Sequence, residues 1–360
     1  MSKKINQVEP NISQQDIENV TDYLSSGAWV TEHKLTKSFE DSISKYVNRK
    51  FSVAVPNGTI GIYLALLAAG LTDGKKVAVP NLTMIATINA ILWANAVPVI
   101  VDTNDHLTMS LDSLKDAGEL DGVIFVPLNG RTNSGEEIEE YCNEKNIKLI
   151  EDSAHALGSN YLNKNCGSLG DLSIFSFTPH KIITMGQGGL VLTDNELLYE
   201  YLLNIKTFNR SKDKSDWHDG FGLNFKITDL QAALGVSQFS RIEEFIKKKN
   251  NIYTLYKDQL ENVSIINFNN YETPWFIDII LDSKETRDSL NKHLFSQNIE
   301  TRDSYPALSK QPYLKDVKKG NLGFSESIAE KILWLPSSTT LDSGEVKSIS
   351  KIINKYLSKF

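Results

Sequence analysis

Apolar positions along this chain follow two rhythms. Up to about residue 226, short unbroken apolar runs alternate with longer stretches whose apolar residues recur at helical spacing. "FSVAV" precedes "GTIGIYLALLAAGL", "KVAVP" precedes "MIATINAILWANA", and "VPVIVD" precedes "LDSLKDAG". "GVIFVPL" then leads into "GEEIEEYCNEKN", with "IKLIED" after it. Runs that stay apolar instead of alternating predict strands covered on both faces, as in a parallel sheet. Strand–helix alternation of this kind predicts an α/β fold with right-handed crossovers. From about Lys226 the texture changes. A long helical pattern, "TDLQAALGVSQFSRIEEFIKKKNNIYTLYKDQL", looks broken once, and its "IKKKNN" reads as a solvated helix face. Strands are predicted at "VSIINF" and "WFIDIIL", and helices at "ETRDSLNKHLFSQN" and "DSGEVKSISKIINKYLSKF". The expected organisation is a large α/β domain over residues 1–245 and a smaller α+β domain over residues 246–360.

Composition narrows the class. The chain has 360 residues, 41% of them apolar, and carries a net charge of −7. A mildly acidic surface disfavours nucleic acid as a partner. The two cysteines, Cys142 and Cys166, form no CxxC pair and suit a reducing compartment, with Cys142 read as a packing residue. No signal-peptide pattern opens the sequence, and apolar stretches such as "IGIYLALLAAG" are too short to span a bilayer. A cytoplasmic protein with no membrane partner is expected.

In open α/β sheets, ligands bind beyond the carboxyl ends of the strands. The polar residues that follow the strand runs are therefore the candidates. After "FSVAV" comes Asn57-Gly58-Thr59, which reads either as an Asn helix cap or as a phosphate site at a helix start. Neither GxGxxG nor GxxxxGK[ST] occurs, so dinucleotide and P-loop binding are unsupported. Glu151 and Asp152 end a buried run, with His155 close behind. A carboxylate there could bind metal, act as a base, pair with a cofactor's protonated nitrogen, or cap a turn. His180 and His218 lack ligand spacing, so no metal is expected. In "GDLSIFSF", Ser173 and Ser176 alternate with apolar residues, and Lys181 follows a turn containing Pro179. A lysine in a dry cleft has a lowered ammonium pKa and can serve as a nucleophile, whereas one on a loop simply reaches into solvent. Asn224 lies just before a helix, with Thr228 and Asp229 as cap candidates. A phosphate site, a strand-end Asp, a serine strand and a lysine beyond it are together the parts that hold pyridoxal phosphate.

The order and wording of these motifs resemble a known family. "PNGTIGIYLALLAAGL", "IEDSAHALGSNYLNKNCGSLGDLSIFSFTPHKIITMGQGGLVLTDN" and "GFGLNFKITDLQAALGVSQF" are similar to the DegT/DnrJ-type sugar aminotransferases. The resemblance implies an aspartate-aminotransferase-like fold, fold type I among enzymes using this cofactor, with a mostly parallel central sheet. By the same resemblance, Lys181 would form the Schiff base and Asp152 would pair with the pyridine nitrogen. Gly58, Thr59 and Ser176 would bind the cofactor phosphate, and His155 would lie near its phenolic oxygen. Asn224 would reach the cofactor of a neighbouring subunit, which implies a homodimer with shared active sites. Met84 stands where the family usually has a stacking aromatic, Gln187 where it usually has Glu, and "PLNGRTNSG" departs from its pattern, placing Asn129 and Arg131 beside the site. Trp29, His218, Arg302 and Tyr305 are the implied substrate contacts. The implied reaction moves an amino group from L-glutamate to a nucleotide-linked 4-keto-6-deoxy sugar, in amino-sugar synthesis for surface polysaccharide. The alternatives are another keto-sugar (a 3-keto hexose or a keto-octulosonate), or a keto-sugar 3-dehydratase, in which histidine replaces the lysine. Here His180 adjoins Lys181, which occupies the lysine position.

Overall fold

In the computed structural model, which describes residues 4–359, the unbroken apolar runs become strands. They are β1 (Phe51–Val55), β2 (Lys76–Pro80), β3 (Val97–Val101), β4 (Gly122–Phe125) and β5 (Lys148–Asp152). β6 (Leu172–Ser176) and β7 (Gly189–Thr193) follow. The later chain adds β8 (Ser264–Ile265), β9 (Ile277–Ile280), β10 (Arg302–Asp303), β11 (Lys318–Lys319) and β12 (Ile332–Leu335). One eight-stranded sheet runs β1-β7-β6-β5-β4-β2-β3-β11, and a four-stranded sheet runs β10-β12-β9-β8. In the larger sheet β7 is antiparallel to both neighbours, while the remaining pairings are parallel. The small sheet is antiparallel throughout.

The helices explain why the strand runs are unbroken. They are α1 (Gln14–Ser25), α2 (Lys34–Val47), α3 (Gly58–Ala68), α4 (Ile85–Trp93), α5 (Leu111–Asp116) and α6 (Gly135–Lys145). Then come α7 (Glu196–Ile205), α8 (Asp229–Phe239), α9 (Ile242–Gln259), α10 (Lys284–Ser296), α11 (Gly323–Ala329) and α12 (Ser343–Leu357). Successive side chains of a strand point to opposite faces, and both faces of the large sheet are covered. Val53 and Val55 pack with Ile62, Leu66 and Ile91 of α3 and α4, whereas Ala54 between them packs with Phe39 and Ile43 of α2. Ile124 likewise joins the first cluster, while Val123 and Phe125 join Leu114, Ile138 and Cys142 of α5 and α6. Both cysteines are buried and unpaired, so Cys142 is a packing residue as read. The small sheet packs against Tyr256, Leu290 and Ile349 of α9, α10 and α12.

The expected break in the long helical pattern falls between α8 and α9. Thr228 caps α8 in a capping box with Gln231. Asp229 works elsewhere: its carboxylate accepts from the backbone N–H groups of His33, Leu35 and Thr36, and so caps α2, whose own N-cap side chain makes no such bond. The expected boundary at residue 245 lies inside α9. Phe245 packs with the large-sheet cluster, and Ile252 and Tyr256 with the small one. "IKKKNN" is not a solvated face throughout, because Lys249 is 3% exposed. It sits on the stripe Ile242, Phe245, Lys249, Ile252, Tyr256, whose i, i+3, i+4 spacing marks the buried side.

Asn129 and Arg131 also depart from expectation. Both are fully buried, and neither is among the residues lining the cavity described below. Arg131 Nη2 pairs with Asp278 Oδ2 of β9 at 2.7 Å, and the other carboxylate oxygen accepts from Asn129 Nδ2 and Trp334 Nε1. Arg131 also donates to the carbonyls of Ile266 and Asn267. The segment after β4 is thereby riveted to the small sheet. Removing one partner of a buried pair strands the other charge, at about 3–5 kcal/mol. Arg131→Leu is therefore expected to lower unfolding stability by that amount in a denaturant titration, with Asp278→Asn costing less.

Candidate active site

Five strands of the large sheet aim their carboxyl ends at one cavity of about 280 Å³. Its lining includes Asn57, Gly58 and Thr59 after β1, Thr83 and Met84 after β2, and Val126 after β4. Asp152 and His155 come from β5 and the turn after it, Ser176 and Lys181 from β6 and its following loop. Trp275, Arg302 and Tyr305 close the cavity from the small-sheet side.

The anion end of the cavity is built by α3. Asn57 Oδ1 accepts from Ile60 N and Asn57 O from Gly61 N, so the N–H groups of Gly58 and Thr59 remain without partners among the described residues. Such a helix start attracts phosphate. The glycine at position 58 lets this turn come close to β6, since a Cβ there would sit 3.1 Å from Ser176 Cβ, a tight contact. Gly189 on β7 has a parallel reason, as its Cβ would lie 2.7 Å from the Asn57 backbone. The small residues thus bring the Asn57 turn and Ser176 together.

Asp152 and Lys181 share the cavity. Thr87 Oγ1 donates to Asp152 Oδ2 at 2.8 Å, and Ala154 N reaches Oδ1 at 3.3 Å, which fixes the carboxylate. Burial raises its pKa, partly offset by the Thr87 bond and the Lys181 charge. Lys181 follows a turn in which its N–H bonds to Thr178 O, and its Nζ rests 4.2 Å from the centre of the Trp275 ring. Burial lowers its pKa from the ordinary lysine range; Asp152 opposes this and Arg302 adds to it. His155 is buried, with Nδ1 unpartnered, and its ring lies 3.9 Å from that of Trp275. Burial, with help from Lys181 and Arg302, holds its pKa far below the usual value, so the imidazole is neutral.

Most residues expected at the site from sequence meet here: Gly58, Thr59, Met84, Asp152, His155, Ser176, Lys181, Arg302 and Tyr305 all line the cavity. Asn224, Trp29 and His218 do not. Asn224 bridges to Thr207, His218 bridges to Arg210, and the Trp29 loop joins the same region through the bridge from Thr31 to Thr228. Glu151, adjacent to Asp152, points the other way. It is fully buried and accepts from Ser153 Oγ, Tyr161 Oη and the N–H groups of Gly167 and Leu169, a structural role. No group of metal-ligating side chains occurs among the described residues, and no helix among them is long and apolar enough to cross a membrane. Sequence reading missed Trp275 as a site residue, because "WFIDIIL" carries only the signal of a buried strand.

Comparison with known proteins places the chain in a family and a fold. The DegT/DnrJ/EryC1/StrS aminotransferase family matches residues 10–354. The GDP-perosamine synthase of Escherichia coli O157:H7 is 32% identical, over 97% of this chain and 98% of its own. Among solved structures, Helicobacter pylori PseC, an aminotransferase in pseudoaminic acid biosynthesis, superposes with a TM-score of 0.94 at 21% identity, covering 99% of this chain and 100% of its own. A sugar aminotransferase from Streptococcus pneumoniae, Spr1654 in its PMP form, gives 0.92 at 23% identity and full coverage of both chains.

The cavity suits pyridoxal phosphate: an amine free of ion pairs, a buried carboxylate, an unpartnered imidazole nitrogen and a helix start with free N–H groups surround one space. A methyl group on residue 58 would press on Ser176. Gly58→Ala is accordingly expected to weaken cofactor binding about tenfold, or ~1.4 kcal/mol, with the melting temperature of the cofactor-free protein little changed. Absorbance titration with pyridoxal phosphate measures the first quantity and thermal unfolding the second.

Proposed function

The chain belongs to the DegT/DnrJ/EryC1/StrS aminotransferase family, and on that premise we propose that it transfers the amino group of L-glutamate to a nucleotide-linked 4-keto-6-deoxy sugar. That it is a sugar aminotransferase working with pyridoxal phosphate follows from the family and its solved members. The observation that carries the finer reading is the meeting of Lys181, Asp152 and the free start of α3 in one cavity, with Arg302 and Tyr305 across it. Relatives named GDP-perosamine synthase support a nucleotide-linked substrate.

When bound, the cofactor supplies a carbonyl that captures amines and a ring that accepts electrons from the carbon beside the captured nitrogen. Asp152, held by Thr87, would keep a proton on the ring nitrogen. The N–H groups of Gly58 and Thr59, with the Ser176 hydroxyl, would hold the phosphate. Neutral His155 would lie toward the phenolic oxygen, and the Met84 thioether would pack against the ring. Lys181 Nζ, whose pKa burial brings down to about 7, would be the general acid/base that removes and returns a proton at the amino donor's α-carbon, in either direction of the transfer. A lysine, and not a histidine, at this position favours amino transfer over dehydration.

The active unit is read as a homodimer. Asn224, Trp29 and His218 lie outside this chain's own cavity, in a region that also exposes Trp217 and Phe221. A second copy would bring this segment to the cavity and cover those aromatics.

Lys181→Ala is expected to abolish turnover while retaining the amine form of the cofactor. A panel of nucleotide keto-sugars with glutamate, followed by 2-oxoglutarate release, tests the substrate; release with none of the 4-keto sugars would sink that reading. Mixing inactive Lys181→Ala with an inactive Asn224→Ala chain is expected to restore about a quarter of wild-type activity, since random pairing gives mixed dimers with one complete site. No recovery would place Asn224 in the cavity of its own chain, or outside both.

A further inference from the structure

Trp275 is held on the cavity wall through both its backbone and its ring. Its backbone N–H donates to Asn129 O at 2.9 Å, and its indole Nε1 donates to His180 O at 2.8 Å. Its carbonyl accepts from Lys249 Nζ at 2.7 Å and from Ser337 Oγ at 3.3 Å. Every polar group of the residue is thereby used, and the ring is further packed by Phe276 at 3.7 Å and His155 at 3.9 Å. These contacts come from separate parts of the chain: the riveted segment after β4, the loop carrying Lys181, α9, and the segment after β12. Lys249 is unusual in its own right. It is buried with no carboxylate partner among the described residues, and its amine is spent on the carbonyls of Trp275 and Ser337. Burial brings its pKa down to about 7. A buried lysine without a counter-ion is costly, and here it clamps the residue that faces Lys181.

We propose that Trp275 is a positioning residue of this active site: its pinned indole is the wall on which the free Lys181 amine rests, holding that amine at a fixed place and shielding it from water. The inference rests on the reading of Lys181 as the reactive lysine, and it adds the element that keeps that lysine dry. His180, whose carbonyl accepts the indole N–H, then has a role through its backbone, while its ring lies at the cavity rim.

The indole acts on the amine in two opposed ways. Its π-face attracts an ammonium, a factor of about thirty when desolvated. Its bulk excludes water, and burial of a lysine shifts its proton affinity by on the order of a thousandfold or more. Exclusion wins, in keeping with burial as the main cause of the lowered Lys181 pKa. The other groups acting on the amine are Asp152, which favours the charged form, and Arg302, which disfavours it. His155 and His180, both with lowered pKa values, add no cationic charge near neutrality.

The test uses the full chain freed of cofactor. Carbamylation of Lys181 by cyanate, quantified by peptide mass spectrometry across pH, reports the amine's titration midpoint. Trp275→Ala is expected to raise the midpoint by about one unit or more, a tenfold change in proton affinity. Trp275→Phe, which keeps a wall, should leave it within about half a unit. A midpoint in Trp275→Ala that is unchanged or lowered overturns the proposal, and so does a Phe variant shifted as far as Ala. Should the Ala variant fail to fold by circular dichroism, Trp275→Leu takes its place with the same criteria. Protection of wild-type Lys181 by added pyridoxal phosphate checks the active-site reading separately. No sugar substrate enters the experiment, so an error in the substrate leaves its outcome untouched.

Discussion

The structure depends on keeping two groups of opposite charge type in one cavity without letting them meet. Lys181 and Asp152 feel each other's charge, yet no hydrogen bond or ion pair among the described residues joins them. Contact would satisfy both groups and end their usefulness as separate partners for a ring placed between them. The separation comes from the sheet. Asp152 ends β5 and is fixed by Thr87 at the start of α4; Lys181 comes from the loop beyond β6 and is turned toward Trp275. Neighbouring parallel strands deliver their last residues to the same edge of a sheet, so the chain needs only loop length to set the gap.

What the sequence made legible follows from this arrangement. Unbroken apolar runs announce a sheet covered on both faces, and the first polar residue after each run is then a candidate by position alone. That reasoning reaches Asn57, Asp152 and Ser176 directly, and Lys181 through its loop. It does not reach residues contributed by the small sheet, whose role depends on a tertiary approach that no local period records. Arg302 and Tyr305 came from family resemblance, and Trp275 came from neither source. Asn224, Trp29 and His218 carry the opposite difficulty: their motif is recognisable, but they lie outside this chain's own cavity.

Two expectations give way to tertiary packing. Lys249 sits among lysines, yet the i, i+3, i+4 stripe from Ile242 to Tyr256 passes through it. Periodicity was the better guide than residue type. Asn129 and Arg131 are placed beside the site by family resemblance, where "PLNGRTNSG" departs from the family's pattern. Their partner, Asp278, lies on β9, far along the chain. A polar residue beyond a strand can serve a ligand or a second layer of protein, and only the fold distinguishes the two.

The continuity of α9 has a mechanical consequence. A hinge needs residues free to change φ and ψ, but the point where the large-sheet cluster gives way to the small one lies within an unbroken run of helical hydrogen bonds. Prising the two layers apart there would mean breaking helix, while a roll about the helix axis would leave its ladder intact. The cavity's two walls are therefore mounted on a common shaft. A bulky substrate would then have to be admitted by side chains and loops at the rim, with the helix holding floor and ceiling at a set distance.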